Sequence, residues 1–546
     1  MLRRMQETRG WKAIRMSLEF SRVGRGCRAL ASPFERMSSL HGVTALILLG
    51  AIAQSTQAEA PAVQGPESVA DWRASAARFM AEGDALSPIE TPARNIILFV
   101  GDGMGITTLT AARILEGQLQ GKPGEENLLS FERFPYLALA RTYSWDQQTP
   151  DSAPTMSAMM TGVKTREGMI GVSHETARGE CRAARLAETT LPTLLEIAAA
   201  RGKHTGIVTT TRLTHATPAN NYAHTPMRDW EADIHLPKAC EVKDIARQLI
   251  EVSPEVRKSL RVALGGGRSH FLPGPAAGSD EADPEYPKQF GVRADGRNLT
   301  QEWLSTRGVG ARYVWNRQQF DAVAPAGDVW LLGLFEPSHL QYEADRARDP
   351  AGEPSLTQMT EKAITLLAHG PKGYFLQVEA GRIDHAHHAG NAQRALLDTV
   401  ELSRAVAKAV ALTDASDTLI IVTADHSHAF TLAGYPHRGN PILGVVRDVP
   451  DVDGAPAKPT RAADGLPYPT LGYANGPGAL RGERVALGDA DTTALEYLQP
   501  AAVPLEQETH GGEDVAVYAR GPWAHRFRGN MEQHWIFHLM QRAFGF

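Results

Sequence analysis

The residues from Tyr374 to Gly390, YFLQVEAGRIDHAHHAG, concentrate side chains that bind metal ions. An apolar run, Tyr374 to Val378, reads as a buried strand, and Glu379, Asp384, His385, His387 and His388 follow within ten positions. With a helix starting near Ile383, Asp384 and His388 stand four apart on one face, the geometry for gripping one ion with an oxygen and a nitrogen. Glu379, left at the strand end, would serve a different ion. A solvated histidine-rich turn is the alternative, but such a turn has no need of a preceding buried carboxylate.

Further stretches repeat this arrangement. Asn95 to Val100 (NIILFV) reads as a buried strand that runs into Gly101-Asp102-Gly103-Met104-Gly105, where the glycines let backbone approach a ligand and Asp102 points into the crevice. The spacing lacks the G-x-G-x-x-G order of a dinucleotide fingerprint, and no Walker lysine follows. Leu419 to Val422 is a strand, and Thr423-Ala424-Asp425-His426-Ser427-His428 follows at once, again an acid and histidines at a strand end. Gly206 to Thr210 is another, followed by His215 and Thr217, which could both look into one site, and by Arg228, a fixed cation suited to bidentate phosphate binding. A hydrogen-bonded turn histidine is the alternative for His215. In TPDSAPTMSAMMT, Ser152 falls at or near a helix N-terminus, where amide donors and the dipole favour an anion, although an ordinary N-cap has the same signature. The order is not the G-x-S-x-G elbow of a hydrolase triad, so a nucleophilic Ser152 would need activation by a metal.

Elements that position these residues alternate strand and helix from Asn95 to Tyr518. Arg261 to Gly267, Val329 to Leu334 and Val515 to Tyr518 read as further strands, and Leu191 to Ala200, Leu356 to Ala368 and Arg394 to Leu412 as helices. This predicts an α/β fold with a central, mainly parallel sheet covered by helices on both faces, its ligands lying beyond the carboxyl ends of the strands. Asp102, Glu379, Asp384, Asp425 and His426 all fall there. The set suffices for two zinc ions with nitrogen and oxygen ligands and one magnesium with oxygen ligands.

The chain's 42% hydrophobic and 22% charged residues fit an ordinary globular profile, and no long basic run offers a nucleic-acid surface. Residues 1–60 read as a leader: an arginine-rich start precedes Val43 to Ala53 (VTALILLGAIA), an apolar run too short for a bilayer but suited to a signal peptide. Cleavage would follow Ala53 or Ala60, and Met16 and Met37 are alternative starts. Residues 61–92 form an N-terminal arm in which Val69, Trp72, Ala76, Phe79 and Met80 make an apolar stripe, serving intramolecular packing or a partner subunit equally well. A core at 93–430, a loop-rich crown-like insertion at 431–505 and the closing part of the core at 506–546 complete the expected organisation. Cys27 lies in the leader, which leaves Cys181 and Cys240 as an even pair and, in an exported chain, a disulfide. The final HLMQRAFGF lacks the signal for a lipid anchor.

The motifs NIILFVGDGMG, TPDSAPT, VTTTRLTHATPANNYAHTPMRDW, GLFEP, VEAGRIDHAHH, VTADHSHAF and ETHGGEDVAVYARGP, in this order, resemble the alkaline phosphatase family, and its animal type more than its short bacterial type. The resemblance implies a periplasmic or extracellular homodimer that hydrolyses small phosphate monoesters through a phosphoserine on Ser152, with Arg228 clamping the phosphate. It implies one zinc on Asp384, His388 and His510 and a second on Asp425 and His426. Asp102 would bridge the second zinc to magnesium, Thr217 and Glu379 would complete the magnesium ligands, and His215 would stand behind a bound water. Thr217 takes the place of a serine in many relatives. A calcium site is implied at Glu285, the Phe335 carbonyl and Glu336, with a further carboxylate in the Asp349 to Glu353 segment.

Two other readings compete. A sulfatase or phosphodiesterase of the same superfamily would keep the metal ligands, but Met156 stands where the sulfatase activation motif needs arginine. A secreted, non-enzymatic metal-binding surface protein would need neither Ser152 nor Arg228.

Overall fold

The computed structural model describes residues 68–279, 282–480 and 482–546. The leader, its start codons and its cleavage sites lie outside these residues. Strands β1 (Asn95–Gly101), β2 (Tyr136–Arg141), β3 (His204–Arg212), β4 (Leu260–Gly266), β5 (Ala311–Val314), β6 (Trp330–Leu334), β7 (Tyr374–Ala380) and β8 (Thr418–Ala424) belong to one sheet. The short β9 (Ser427–His428), β10 (Phe430–Leu432), β11 (Leu471–Gly476), β12 (Ala501–Pro504) and β13 (His510–Gly511) follow; β14 (Val515–Arg520) and β15 (Gly529–Glu532) rejoin the large sheet.

That ten-stranded sheet has the order β15-β2-β14-β8-β1-β7-β3-β4-β6-β5, and only β14 runs against its neighbours. The seven strands from β8 to β5 are all parallel. Every residue of β1, β4, β7 and β8 is buried, as continuous apolar strands covered on both faces require. The sequence expectation therefore holds at the centre of the sheet. It omits β2, β5 and β15. β2 exposes Leu137 and Leu139, so its apolar pattern does not mark it as core, while β5 and β15 have four residues each.

Helices carry the strands' chain back across the sheet. The longest, Ala392–Leu412, buries one face and is capped by Asn391, whose side chain accepts from Arg394 N. Leu356–Leu367 packs beside it, started by a Ser355/Gln358 capping box. Leu194–Ala200 begins later than its periodicity suggests, because Thr193 and Glu196 form a capping box there.

Within the expected insertion, residues 433–470 hold no strand or helix, and β10, β11 and β12 form a separate small sheet. The helix Val69–Asp84 is fixed by a Ser68/Asp71 capping box and buries none of its residues; Trp72 and Phe79 are 57% and 78% exposed. Its apolar stripe thus stays exposed among the described residues.

Candidate active site and metal centre

Strand register brings the chemistry to one level. Gly101 of β1 is paired with Ala380 of β7 and with Ala424 of β8, so Asp102 and Asp425 leave the sheet side by side with Glu379 at the end of the neighbouring strand. Gly103 makes the turn at φ +68°, and a Cβ there would lie 2.4 Å from the His428 ring. The glycine therefore admits a neighbouring imidazole, where the sequence suggested room for a ligand.

The helix Arg382–His388 carries Asp384 and His388 on one face, as expected, and they meet His510 from β13. His388 Nε2 and His510 Nε2 each lie 3.4 Å from Asp384 Oδ1 and 3.0 Å from each other. Their outer nitrogens are tied to carbonyls, His388 Nδ1 to Glu508 O at 2.6 Å and His510 Nδ1 to Pro150 O at 2.7 Å. Both rings then donate outward and turn bare Nε2 lone pairs on the same point, an arrangement that calls for a cation.

A second group lies beside it, all of it fully buried. His426 Nε2 is 3.3 Å from Asp102 Oδ1 and 3.4 Å from Asp425 Oδ2, while Ser152 Oγ lies 3.1 Å from His426 Nε2 and 3.4 Å from Asp102 Oδ1. Burial, and then the charges of Asp425, Asp384 and Glu379, push the Asp102 carboxyl well above the usual range. Burial likewise raises Asp425 and moves Glu379 up to about 7.

A third group joins Asp102 to His215 and Glu379. Thr217 Oγ is 3.4 Å from Asp102 Oδ2, and Glu379 Oε2 accepts from Thr209 and Thr211, but buried Glu379 Oε1 has no hydrogen-bond partner among the described residues. Three carboxylates this deep, with an orphaned oxygen, are costly unless cations sit among them. The donor sets fit the metals: nitrogen and oxygen in the first two groups, oxygen-rich in the third.

Ser152 opens the helix Ser152–Thr161. Asp151 caps it by accepting from Ala153 N at 3.2 Å and also takes the Arg228 Nη1 ion pair. Arg228 Nη2 meets His215 Nε2 at 2.9 Å. The cap, the nucleophile candidate and the guanidinium are thereby locked together at the wall of a cavity of about 790 Å3.

Two histidines stand otherwise than the sequence reading has them: His428 is placed there at its strand end without a ligand role, and His387 is counted among the metal-binding side chains. His428 stands in the first group, with Nε2 2.8 Å from Asp384 Oδ1 and Nδ1 2.5 Å from Glu508 Oε2. The two-residue spacing from His426 on an extended segment was the available signal. His387, by contrast, joins no cluster: it is bonded to Thr108 Oγ at 3.0 Å and Tyr473 OH at 2.8 Å.

Away from the cavity, Glu285, Glu336 and Asp349 form a fourth group. Asp349 is the member from its segment, and both its buried oxygens lack hydrogen bonds among the described residues; Glu353 is occupied by Gln341 N at 3.0 and 3.2 Å. Phe335 lies buried next to Glu336 against Phe320. Cys181 and Cys240 are joined by the expected disulfide.

A largely parallel sheet with buried carboxylate and imidazole clusters beyond its strand ends, facing a serine at a helix start, defines a metal-dependent hydrolase of α/β architecture. The chain matches the family model for alkaline phosphatase over residues 93–546 and belongs to that family. It is 46% identical over 483 residues to the tissue-nonspecific alkaline phosphatase of Gallus gallus, covering 86% of this chain and 88% of that one. Against the alkaline phosphatase of Gadus morhua it is 45% identical over 461 residues, covering 83% and 91%. Among solved structures it resembles the Thermus thermophilus alkaline phosphatase with a TM-score of 0.57 at 25% identity, covering 84% of this chain and 92% of that one. The enzyme is a metal-dependent phosphoric monoester hydrolase, and the sulfatase and phosphodiesterase alternatives are not favoured.

Proposed function

We propose that Ser152 is the covalent nucleophile for phosphate monoesters, in a chain carrying two zinc ions and one magnesium ion. Asp384, His388 and His510 would hold the first zinc, and Asp425 and His426 the second. Asp102 would serve both the second zinc and the magnesium, whose other protein ligands would be Thr217 and Glu379, with His215 behind a water. When bound, these ions supply Lewis-acid charge for the serine oxygen, the leaving oxygen and the hydrolytic water.

The chain's own groups do the rest. Arg228, pre-oriented by Asp151 and His215, binds two phosphate oxygens and turns the phosphorus toward Ser152. Ser152 Oγ attacks in line, the ester bond to the leaving oxygen breaks, and water later cleaves the phosphoserine. Amides at the start of the Ser152–Thr161 helix favour the anion throughout. The observation that carries this reading is Ser152 Oγ within 3.1 and 3.4 Å of His426 and Asp102. Brief exposure to labelled phosphate at low pH should mark Ser152; label on another residue, or full turnover by Ser152→Ala, would overturn it.

A calcium ion at Glu285, the Phe335 carbonyl, Glu336 and Asp349 is proposed for the distal group, an all-oxygen set of the kind calcium accepts. The protein is further proposed to be exported to the periplasm or exterior, with residues 1–60 as its leader and the Cys181–Cys240 disulfide in keeping with that compartment. No described helix is long and apolar enough to cross a membrane. A homodimer, with the bare stripe of Val69–Asp84 against a second copy, would give that helix its missing partner. The arm at 61–92, core at 93–430 and 506–546, and crown-like insertion at 431–505 are retained as its organisation.

A further inference from the structure

One wall of the active cavity continues past the phosphate clamp. His215, bonded to Arg228, packs edge to face against His339 and His385, with centroids 5.4 Å away in both cases, and those two rings are 4.2 Å apart. Beyond them stands Arg382, whose Nη1 is 2.9 Å from His385 Nδ1 and whose guanidinium lies 3.7 Å over the Tyr342 ring. Ser152, Arg228, His339, His385 and Arg382 all line the same cavity.

Arg382 differs from the other cations here. Arg228 is paired with Asp151, and Arg212 with Glu231 through Nε at 2.8 Å and Nη2 at 2.6 Å. Among the described residues Arg382 has no carboxylate partner within ion-pair distance, and its buried Nε makes no hydrogen bond. Burial keeps Asp398, a carboxylate reached by the Arg382 charge, protonated up to about 8. An uncompensated guanidinium held over an aromatic ring is oriented for an anion it does not find among the described residues.

Building on phosphate monoester hydrolysis at Ser152, we propose that Arg382 forms a leaving-group subsite for a second anion, so that esters whose leaving group bears a carboxylate or phosphoryl group are preferred. Arg382 and the proposed zinc ligand Asp384 line the same cavity, so a leaving group departing near Asp384 shares that space with the guanidinium. His339, Tyr342 and His385 hold Arg382 and the wall in place.

The test compares kcat/KM for phenyl phosphate, 3-carboxyphenyl phosphate and pyrophosphate in the metal-loaded wild type, Arg382→Gln and Arg382→Lys. Wild-type turnover of phenyl phosphate tests the hydrolase reading alone; the charged-to-neutral ratio tests the subsite. Arg382→Gln should lower that ratio about ten-fold for one or both charged substrates, with Arg382→Lys recovering part of it. The two charged arms separate carboxylate from phosphoryl recognition. An unchanged ratio for both overturns the proposal. Should Arg382→Gln fail to fold, wild-type inhibition decides: 3-carboxyphenylphosphonate and pyrophosphate-like methylenediphosphonate both binding no tighter than phenylphosphonate would overturn it, and tighter binding of either, weakened by salt, supports it.

Discussion

The carboxylates at the strand ends and those beside Arg268 are similarly buried, yet the fold balances them by different means. Among the described residues Asp102, Glu379 and Asp425 have no arginine or lysine ion pair; Asp102 and Asp425 face the His426 imidazole, and Glu379 faces threonine hydroxyls. At the distal group the cation is built in: buried Arg268 binds Asp283 through Nε at 2.6 Å and Nη2 at 2.7 Å, and Glu285 at 3.0 Å. Asp398 shows a third solution, keeping a proton up to about 8 because burial disfavours its charge. A site that must exchange charge with substrate is served by cations from solution, whereas Asp283 and one oxygen of Glu285 are already met by a guanidinium of their own chain, which leaves Glu336 and Asp349 for the proposed calcium.

The largest expected effect tests the built-in cation. Arg268→Ala strands Asp283 and Glu285 in the interior and should cost about 3 to 5 kcal/mol in denaturant unfolding. A loss below about 1 kcal/mol would break the contrast.

Asp398 gives the next effect, and its sign is fixed by linkage. Between the ordinary carboxyl value of 3.8 and about 8 the unfolded chain releases a proton that the folded chain keeps, so stability falls as pH rises through that window. Asp398→Asn should flatten this fall and gain on the order of a few kcal/mol relative to wild type near pH 8. Parallel pH profiles for the two proteins would show that burial does not hold the proton.

Arg228→Ala should weaken competitive inhibition by inorganic phosphate about ten-fold or more, the equivalent of losing a charged bidentate contact worth about 1.5 to 3 kcal/mol. Equal inhibition constants would leave the guanidinium a purely structural partner of Asp151. The smallest effect belongs to calcium, which should raise Tm by a few degrees in the zinc- and magnesium-loaded wild type by mass action, about 2 to 4 °C per kcal/mol, with turnover nearly constant. The rise should vanish in Glu336→Ala, and an equal rise there would remove Glu336 from the site.

The parts of this arrangement legible in the sequence are those governed by local rules. β1, β7 and β8 are continuous apolar runs, and the acids follow them directly, so Asp102, Glu379, Asp384, Asp425 and His426 could be placed before any contact was known. Residues brought in from far along the chain were harder. His510 reaches Asp384 from 126 positions away, and its place followed from the family motif rather than from spacing. The His428–Glu508 contact was missed because it spans 80 positions and nothing local marks Glu508, although the spacing of His428 from His426 was legible. His387 misled by density alone: although only three positions from Asp384, both its ring nitrogens are taken by Thr108 and Tyr473. Edge strands β5 and β15 are set by pairing with neighbours, which four-residue segments do not announce.

The most direct test of externally supplied cations at the strand ends is reconstitution of chelator-stripped protein, with bound metal counted by elemental analysis as phenyl phosphate turnover is followed. Stripped protein should be inactive, turnover should return as two zinc ions and one magnesium ion bind per chain, and calcium alone should restore none. Full turnover in the stripped protein, or its recovery with calcium only, would contradict the account.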